Sequence, residues 1–420
     1  MPKVFLGHVL SPPGRLDRKA EVKEMSGSVT CGRGVGARRG KGFDGSSLKV
    51  VVLVDSRVMA PDLLGRDPHS LKQSCATATA VMNALQELGH RGLLLEAGPR
   101  LLTRLRELRP DLIFNLATGL GQKKQQANVV ALLEAAGFPF TGSPLESHVL
   151  ALHKPLAKMI FRHWGIPTPA FQVFTDPEQP LRPGLPFPLI VKPSSEGSSV
   201  GIGPEAVVGD EAALREAVAR VLRDYDQSAL VEQFIPGREF TVGVLGNDPP
   251  QALPPEEIVF PREETKIAGE LYGYVMKERD KVERICPPDL SREEREEIEE
   301  IGLLSFQALG CRDYARVDIR MDRAGVPFVL EVNTMPGLQP GYSEFPRLAA
   351  AAGLDYVGLV GKLVEEARGR FGPVTEPGNT ALFRCTDRPA FTLTKLTRLR
   401  PAAAVTGSAT TWTEDAASGT

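Results

Sequence analysis

A chain of 420 residues is longer than one hydrophobic core normally organises, so two or three domains are expected. Fifty basic side chains stand against 52 acidic ones, which excludes the strong one-sign field that draws nucleic acid or an anionic membrane surface. Five cysteines at positions 31, 75, 286, 311 and 385 show neither CxxC nor His/Cys metal spacing, and read as reduced thiols of a cytoplasmic protein.

Residues 1–48 are rich in Gly, Arg, Lys and Ser and carry no hydrophobic period, and 373–420 are similarly rich in Thr, Ala, Pro and Ser. Both are expected to be disordered, because such composition buries too little apolar surface to offset the entropy of ordering. The apolar stretch from Val4 to Leu10 is interrupted by Gly7 and His8 and is too weak for a signal peptide. No run approaches the length needed to span a bilayer. The tract from Gly32 to Gly42 does not spell GxGxxG and follows no strand, so it is no dinucleotide fingerprint.

From Lys49 onward, apolar runs at Val51–Val54, Leu93–Leu95, Leu112–Leu116 and Phe138–Thr141 alternate with helical stretches at Ser70–Leu88, Leu101–Leu108 and Gln125–Ala136. Strands alternating with helices predict a parallel sheet covered on both faces, a doubly wound domain over residues 49–145. A helix around Leu150–Trp164 and the break Gly165-Ile-Pro-Thr-Pro169 open a central subdomain at 146–248. It is expected to contain strands at Phe187–Val191, Ala229–Phe234 and Glu239–Leu245, and a helix at Asp210–Arg223 with an Asp N-cap. A third part covers 249–372. Its helix Ser291–Leu309 opens with the capping box Ser291-x-x-Glu294, stops at Gly310, and carries an apolar stripe of Ile298, Ile301, Phe306 and Leu309.

Two segments carry chemistry. In Pro188-Leu-Ile-Val-Lys-Pro-Ser-Ser-Glu-Gly-Ser-Ser-Val-Gly201 a lysine at a strand end is followed by small residues, whose backbone N–H groups can close around phosphate oxygens; a plain surface turn has the same composition. The G-x-S-x-G within it, Gly197 to Gly201, also matches a nucleophile elbow. That reading requires a histidine after Ser199, and all six histidines (8, 69, 90, 148, 153 and 163) precede it.

The second segment, Ala315–Asn333, reads as two strands closed by a turn at Asp322-Arg-Ala-Gly325, with residue numbers pairing to a constant sum. Asp318 then faces Glu331 and Arg316 faces Asn333. Side chains two apart share a face, so these four sit together while Val317, Ile319, Met321, Phe328, Leu330 and Val332 line the other side. Two carboxylates and an amide beside a guanidinium suit a hard cation such as Mg²⁺, which accepts a few protein oxygens and completes its shell from phosphates. A sheet with one solvated, charged face would show the same alternation.

Taken together, His153-Lys154, Lys192–Gly201, Leu230-Val-Glu-Gln-Phe-Ile-Pro-Gly-Arg-Glu239, Lys277, Ala315-Arg-Val-Asp318 and Leu330-Glu-Val-Asn-Thr-Met-Pro-Gly-Leu338 resemble, in order and spacing, the ATP-grasp ligases of the D-alanine:D-alanine ligase branch, over about residues 49–370. This resemblance implies an α/β fold: an N-terminal Rossmann-like domain followed by a two-subdomain ATP-grasp fold, α+β in the catalytic part. It implies that Lys154, Lys192 and Lys277 contact nucleotide phosphates, that Glu232, Gln233, Phe234 and Ile235 form an adenine hinge, and that Glu239 meets the ribose. Asp318, Glu331 and Asn333 would hold two Mg²⁺ (or Mn²⁺) ions. Arg316 and the Gly337 N–H would cradle an oxyanion, with Ser198 also catalytic, and Ser343 would bind the carboxylate of the attacking amino acid.

The implied activity is ATP-dependent carboxylate:amine ligation forming a dipeptide through an acyl phosphate. The expected partners are small amino-acid substrates, without nucleic acid or membrane, and a homodimer is the assembly to be tested. The polar stretch Pro261–Arg284, with Tyr272 and Tyr274, is the expected lid. The chain departs from the family pattern at Asp67-Pro-His-Ser70, at Gly119-Leu-Gly-Gln-Lys-Lys124, at His153 in place of an Asp, and at Glu278 after Lys277. These departures put the alteration in the first-substrate pocket. Two other readings are a ligase of the same family for other amino or hydroxy acids, and a nucleotide-binding module that has lost ligation.

Overall fold

A computed structural model of the protein describes residues 47–55, 68–119, 126–195, 203–259 and 282–371. Ser198, Ser199 and Lys277 lie outside the described residues, as do Asp67, most of the 119–124 segment, Tyr272 and Tyr274 with nearly all of the expected lid, and both terminal segments apart from Ser47 and Leu48, the latter buried in the core rather than disordered as expected.

The first sheet is parallel, with order β2-β1-β3, built from β1 (Lys49–Asp55), β2 (Arg91–Ala97) and β3 (Leu112–Asn115). Alternation along β1 explains how it is covered. Val50, Val52 and Val54 enter one core with Val81 and Leu85 of α1 (Pro68–Glu87), while Val51 and Leu53 enter another with Leu101 and Leu105 of α2 (Leu101–Leu108) and Val129 and Leu133 of α3 (Gln126–Ala135). Each face of a parallel sheet must be covered, and the α1 face is completed from far along the chain. Leu359, Leu363 and Ala367 of the last described helix, Tyr356–Phe371, join that core. The strand expected at Phe138–Thr141 is reduced to a single parallel bridge between Ile113 and Phe140.

The helix expected over Leu150–Trp164 is two helices, α4 (Leu145–Leu152) and α5 (Lys154–His163). Pro155 lies in the first turn of α5 and has no N–H to continue a preceding helix. His153 leaves helical geometry at φ −90°, ψ 82°, and its ring accepts from the Leu156 N–H at 3.4 Å.

Next comes an antiparallel sheet of order β4-β7-β5-β6: β4 (Phe171–Phe174), β5 (Leu189–Pro193), β6 (Val207–Val208) and β7 (Ala229–Gln233). The edge strand β4 was not anticipated. Helix α6 (Glu211–Tyr225) backs this sheet with Leu214, Ala217, Val218 and Val221, and is capped as expected by Asp210, which accepts from the Ala213 N–H at 2.9 Å.

The largest sheet runs β11-β10-β8-β12-β13, with β9 (Gln251–Ala252) also on β8: β8 (Gly237–Leu245), β10 (Glu256–Val259), β11 (Glu283–Ile285), β12 (Tyr314–Asp322) and β13 (Pro327–Asn333). Its neighbours are antiparallel. Helix α7 (Arg292–Ala308) packs Ile298, Ile301 and Phe306 on one face, with both bonds of the Ser291/Glu294 capping box formed. Helices α8 (Glu344–Ala351) and α9 (Tyr356–Phe371) follow. Among the described residues, no helix is long and apolar enough to cross a membrane.

The expected hairpin forms with one correction. Arg316 pairs Asn333 and Asp318 pairs Glu331, but the register shifts between Asp318 and Ile319, so that Ile319 pairs Val329 and Leu330 is the extra residue of a bulge. The constant sum therefore fails toward the turn. Val329, not Phe328 or Leu330, is fully buried in the core with Val317, Ile319, Met321 and Val332. The bulge has a cause outside the hairpin: the Val329 N–H donates to Pro167 O at 2.8 Å and the Val329 carbonyl accepts from Thr168 Oγ1 at 2.8 Å.

Candidate active site

Because cross-strand partners share a face, the register lines up one row of polar side chains over four strands: Glu331 on β13, Asp318 on β12, Thr241 on β8 and Glu256 on β10. Asp318 is the most heavily bonded of them. It accepts Arg316 Nε at 2.9 Å and Nη2 at 3.0 Å, Thr241 Oγ1 at 2.7 Å and Asn333 Nδ2 at 3.0 Å. The remaining Arg316 nitrogen, Nη1, reaches Glu344 at 3.2 Å. Burial works against the Arg316 charge, but Asp318 and Glu344 overcome it and hold the guanidinium above its ordinary value.

Glu331 faces Lys154 at 3.2 Å. Burial pushes the Glu331 carboxyl up, yet the Lys154 and Lys192 ammoniums override it and hold it at about 2. The carboxylate is thus charged at any working pH. Lys154 is carried on the first turn of α5, whose backbone N–H donates to Ser194 O at 3.1 Å. That bond joins the lysine to the start of the small-residue loop after β5.

Glu232, which is fully buried, lies between two lysines, Lys192 at 2.6 Å and Lys158 at 2.8 Å. Burial raises its carboxyl, and the two ammoniums reverse the direction. Lys158 has no exposed surface; burial lowers its ammonium to about 8 against the pull of Glu232. It also donates to Thr168 Oγ1 at 2.7 Å, the hydroxyl that holds Val329. One buried lysine therefore ties α5, the 166–170 linker and β13 to the end of β7.

Beyond Glu232, the Gln233 N–H donates to Ala170 O at 2.8 Å and the Phe234 N–H to Pro188 O at 3.1 Å, while Phe234 and Ile235 are buried. Glu239 is bound by Arg320 Nη1 at 2.9 Å; burial raises its carboxyl to about 7 against that pull, helped by the charges of Asp318 and Glu331. Gly337 is exposed and lies against Ser343, where a Cβ would come 2.6 Å from the hydroxyl. Ser343 Oγ accepts from the Gln339 N–H at 3.2 Å.

The described expected residues therefore gather into two groups: Lys154, Arg316, Asp318, Glu331 and Asn333 around the strand pair, and Lys192, Glu232, Gln233, Phe234, Ile235 and Glu239 around the β7–β8 connection. Gly337 and Ser343 form a neighbouring corner. Sequence reasoning missed Lys158, Arg320 and Thr241. Two were signalled: Lys158 is one helical turn beyond Lys154, on the same face, and Arg320 is two residues beyond Asp318 on the same strand.

Comparison with known proteins identifies the family. The family model described as "D-ala D-ala ligase C-terminus" matches residues 160–365. A D-alanine–D-alanine ligase of Pelotomaculum thermopropionicum is 35% identical over 317 residues, covering 73% of this chain and 95% of that protein. An uncharacterized protein, y4sG, of Sinorhizobium fredii is 36% identical over 305 residues, covering 70% of this chain and 88% of its own. In three dimensions, the D-alanine–D-alanine ligase of Bacillus anthracis complexed with ATP superposes with a TM-score of 0.60 at 23% identity, over 76% of this chain and 97% of that one. With relatives matched over nearly their whole length and the fold shared, this chain belongs to the D-alanine–D-alanine ligase family.

Proposed function

We propose that the protein is an ATP-dependent ligase that joins two D-alanines for cell-wall precursor synthesis in the cytoplasm. The observation that carries the reading is the convergence of Arg316, Asp318, Glu331 and Asn333 on one sheet face with Lys154 beside them. A protein that only bound nucleotide would not need all four of these groups together.

The donor set fits magnesium. It consists of oxygens alone, Glu331 stays ionised, and two carboxylates with an amide leave coordination positions for phosphate oxygens and water. Asp318, Glu331 and Asn333 would hold the ions (Mg²⁺, or Mn²⁺ in its place), which when bound neutralise charge on the transferred phosphate.

Lys154 and Lys192 supply fixed positive charge for nucleotide phosphates; Lys277 is assigned the same role, and Ser198 a catalytic one. Glu232 to Ile235 hold the base, and Glu239 the ribose. In the first half-reaction a carboxylate oxygen of one amino acid attacks the γ-phosphorus, the bond to ADP breaks and an acyl phosphate forms. In the second, the free amine of the other amino acid attacks the carbonyl carbon. The resulting oxyanion is met by Arg316 and the Gly337 N–H, one such donor being worth about 3–4 kcal/mol in the transition state. Collapse expels phosphate, which keeps the transferred oxygen, and the amine proton is lost to solvent. Ser343 holds the carboxylate of the attacking amino acid.

The test is phosphate release by the full chain with ATP and Mg²⁺ across a panel of D- and L-amino acids. D-alanine-dependent release that EDTA abolishes is expected. Dependence on another amino or hydroxy acid would shift the substrate assignment, and no acceptor-dependent release would leave a nucleotide-binding module without ligase activity.

A further inference from the structure

Three residues, 234–236, carry the chain from β7 into β8 and so from the four-stranded sheet to the largest one. A short connection of this kind needs partners for its carbonyls, and Pro236 at its end offers no N–H. Both carbonyls flanking the proline are taken by the same side chain. Arg320 Nε donates to Ile235 O at 2.8 Å and Nη2 to Gly237 O at 2.9 Å, while Nη1 holds Glu239 at 2.9 Å. Its guanidinium also lies 5.3 Å from the centroid of the Phe234 ring. Gly237 is pressed against the same strand, its φ is +145°, and a Cβ there would clash with Met321 O.

Arg320 stands on β12 two residues after Asp318, with its side chain buried at 4% exposure. One rigid, planar fork therefore fixes two residues of the β7–β8 connection, Phe234 and Ile235, and two at the start of β8, Gly237 and Glu239, to the strand that carries Asp318. We propose that Arg320 is a positioning residue for the nucleotide: it sets the distance between the base- and ribose-facing residues and the cation-facing residues, and so sets ATP affinity without touching the reacting atoms. This inference rests on the ligase reading above. A lysine cannot substitute, because an ammonium has neither the planar fork nor donors that diverge toward three acceptors at once.

The experiment compares the full-length wild type with Arg320→Lys and Arg320→Met by calorimetric titration with MgADP and by steady-state kinetics. Both variants are expected to bind MgADP about tenfold or more weakly and to raise the KM for ATP equally, while kcat at saturating ATP and the KM for the amino acid stay within about threefold. Arg320→Lys preserves the charge and most of the stem, and carries the test should Arg320→Met fail to fold. Unchanged nucleotide affinity in a folded variant with a lowered Tm would make Arg320 a packing residue only and overturn the inference, as would parallel losses in kcat and every KM. A wild type that binds no MgADP would instead remove the ligase reading itself.

Discussion

Glu331→Gln is expected to lower amino-acid-dependent turnover by about a hundred- to a thousandfold, the scale set by losing one strong charge interaction in the transition state. Thermal stability should fall by only a few degrees. The asymmetry follows from where the side chain sits. Glu331 lies at the edge of the sheet face with its side chain 23% exposed, so it contributes little packing, and glutamine keeps its volume. What is lost is charge: the carboxylate held at about 2 by Lys154 and Lys192 is the anionic member of the row that no arginine neutralises directly. A cation site deprived of it retains Asp318, which is already balanced by Arg316. Steady-state ADP formation and thermal unfolding on the same preparation check the prediction; parallel losses of activity and stability would assign Glu331 to the fold.

Glu232→Gln should behave in the opposite sense, with stability as the main casualty. Glu232 is the shared counter-charge of Lys158 and Lys192, and neutralising it leaves a lysine without exposed surface and a second nearly buried one facing an uncharged amide. Removing one partner of a buried ion pair costs roughly 3–5 kcal/mol, which for a protein of this size is a drop in Tm of about 5 °C. Pairing it with Lys158→Met should recover part of the loss, since the uncompensated charge goes with it. Lys158→Met alone should be milder than Glu232→Gln, because Lys192 still neutralises the carboxylate. A Glu232→Gln protein that melts with the wild type would show that water reaches this site and that the lattice contributes little to the fold.

The contrast between these two glutamates marks what could be read from residues alone. Period-two alternation sufficed to pair Arg316 with Asn333 and Asp318 with Glu331, because register fixes which side chains share a face. The unbroken apolar run Val51–Val54, in a stretch where strands alternate with helices, announced a parallel sheet covered twice. The bulge at Leu330 was not legible, since the Val329 backbone is held by the linker residues Pro167 and Thr168, the latter 161 positions away. Nor was the role of the Tyr356–Phe371 helix, which covers a sheet near the other end of the described chain. Thr241 became visible only once β8 was known to lie beside β12. The division of Leu150–Trp164 into two helices was legible in principle from Pro155, and the strand at Phe138–Thr141 shrank to a bridge because apolar composition alone does not guarantee a ladder.

The most direct test of the account follows one oxygen atom. With D-alanine labelled by ¹⁸O in its carboxylate, ATP and Mg²⁺, a single turnover through a carboxylate attack on the γ-phosphorus must move one labelled oxygen into the released phosphate, to be read by mass spectrometry alongside the dipeptide. Label in the phosphate, matched one for one with dipeptide formed, is the predicted result. Phosphate carrying no label, or released without dipeptide, would contradict the ligase account.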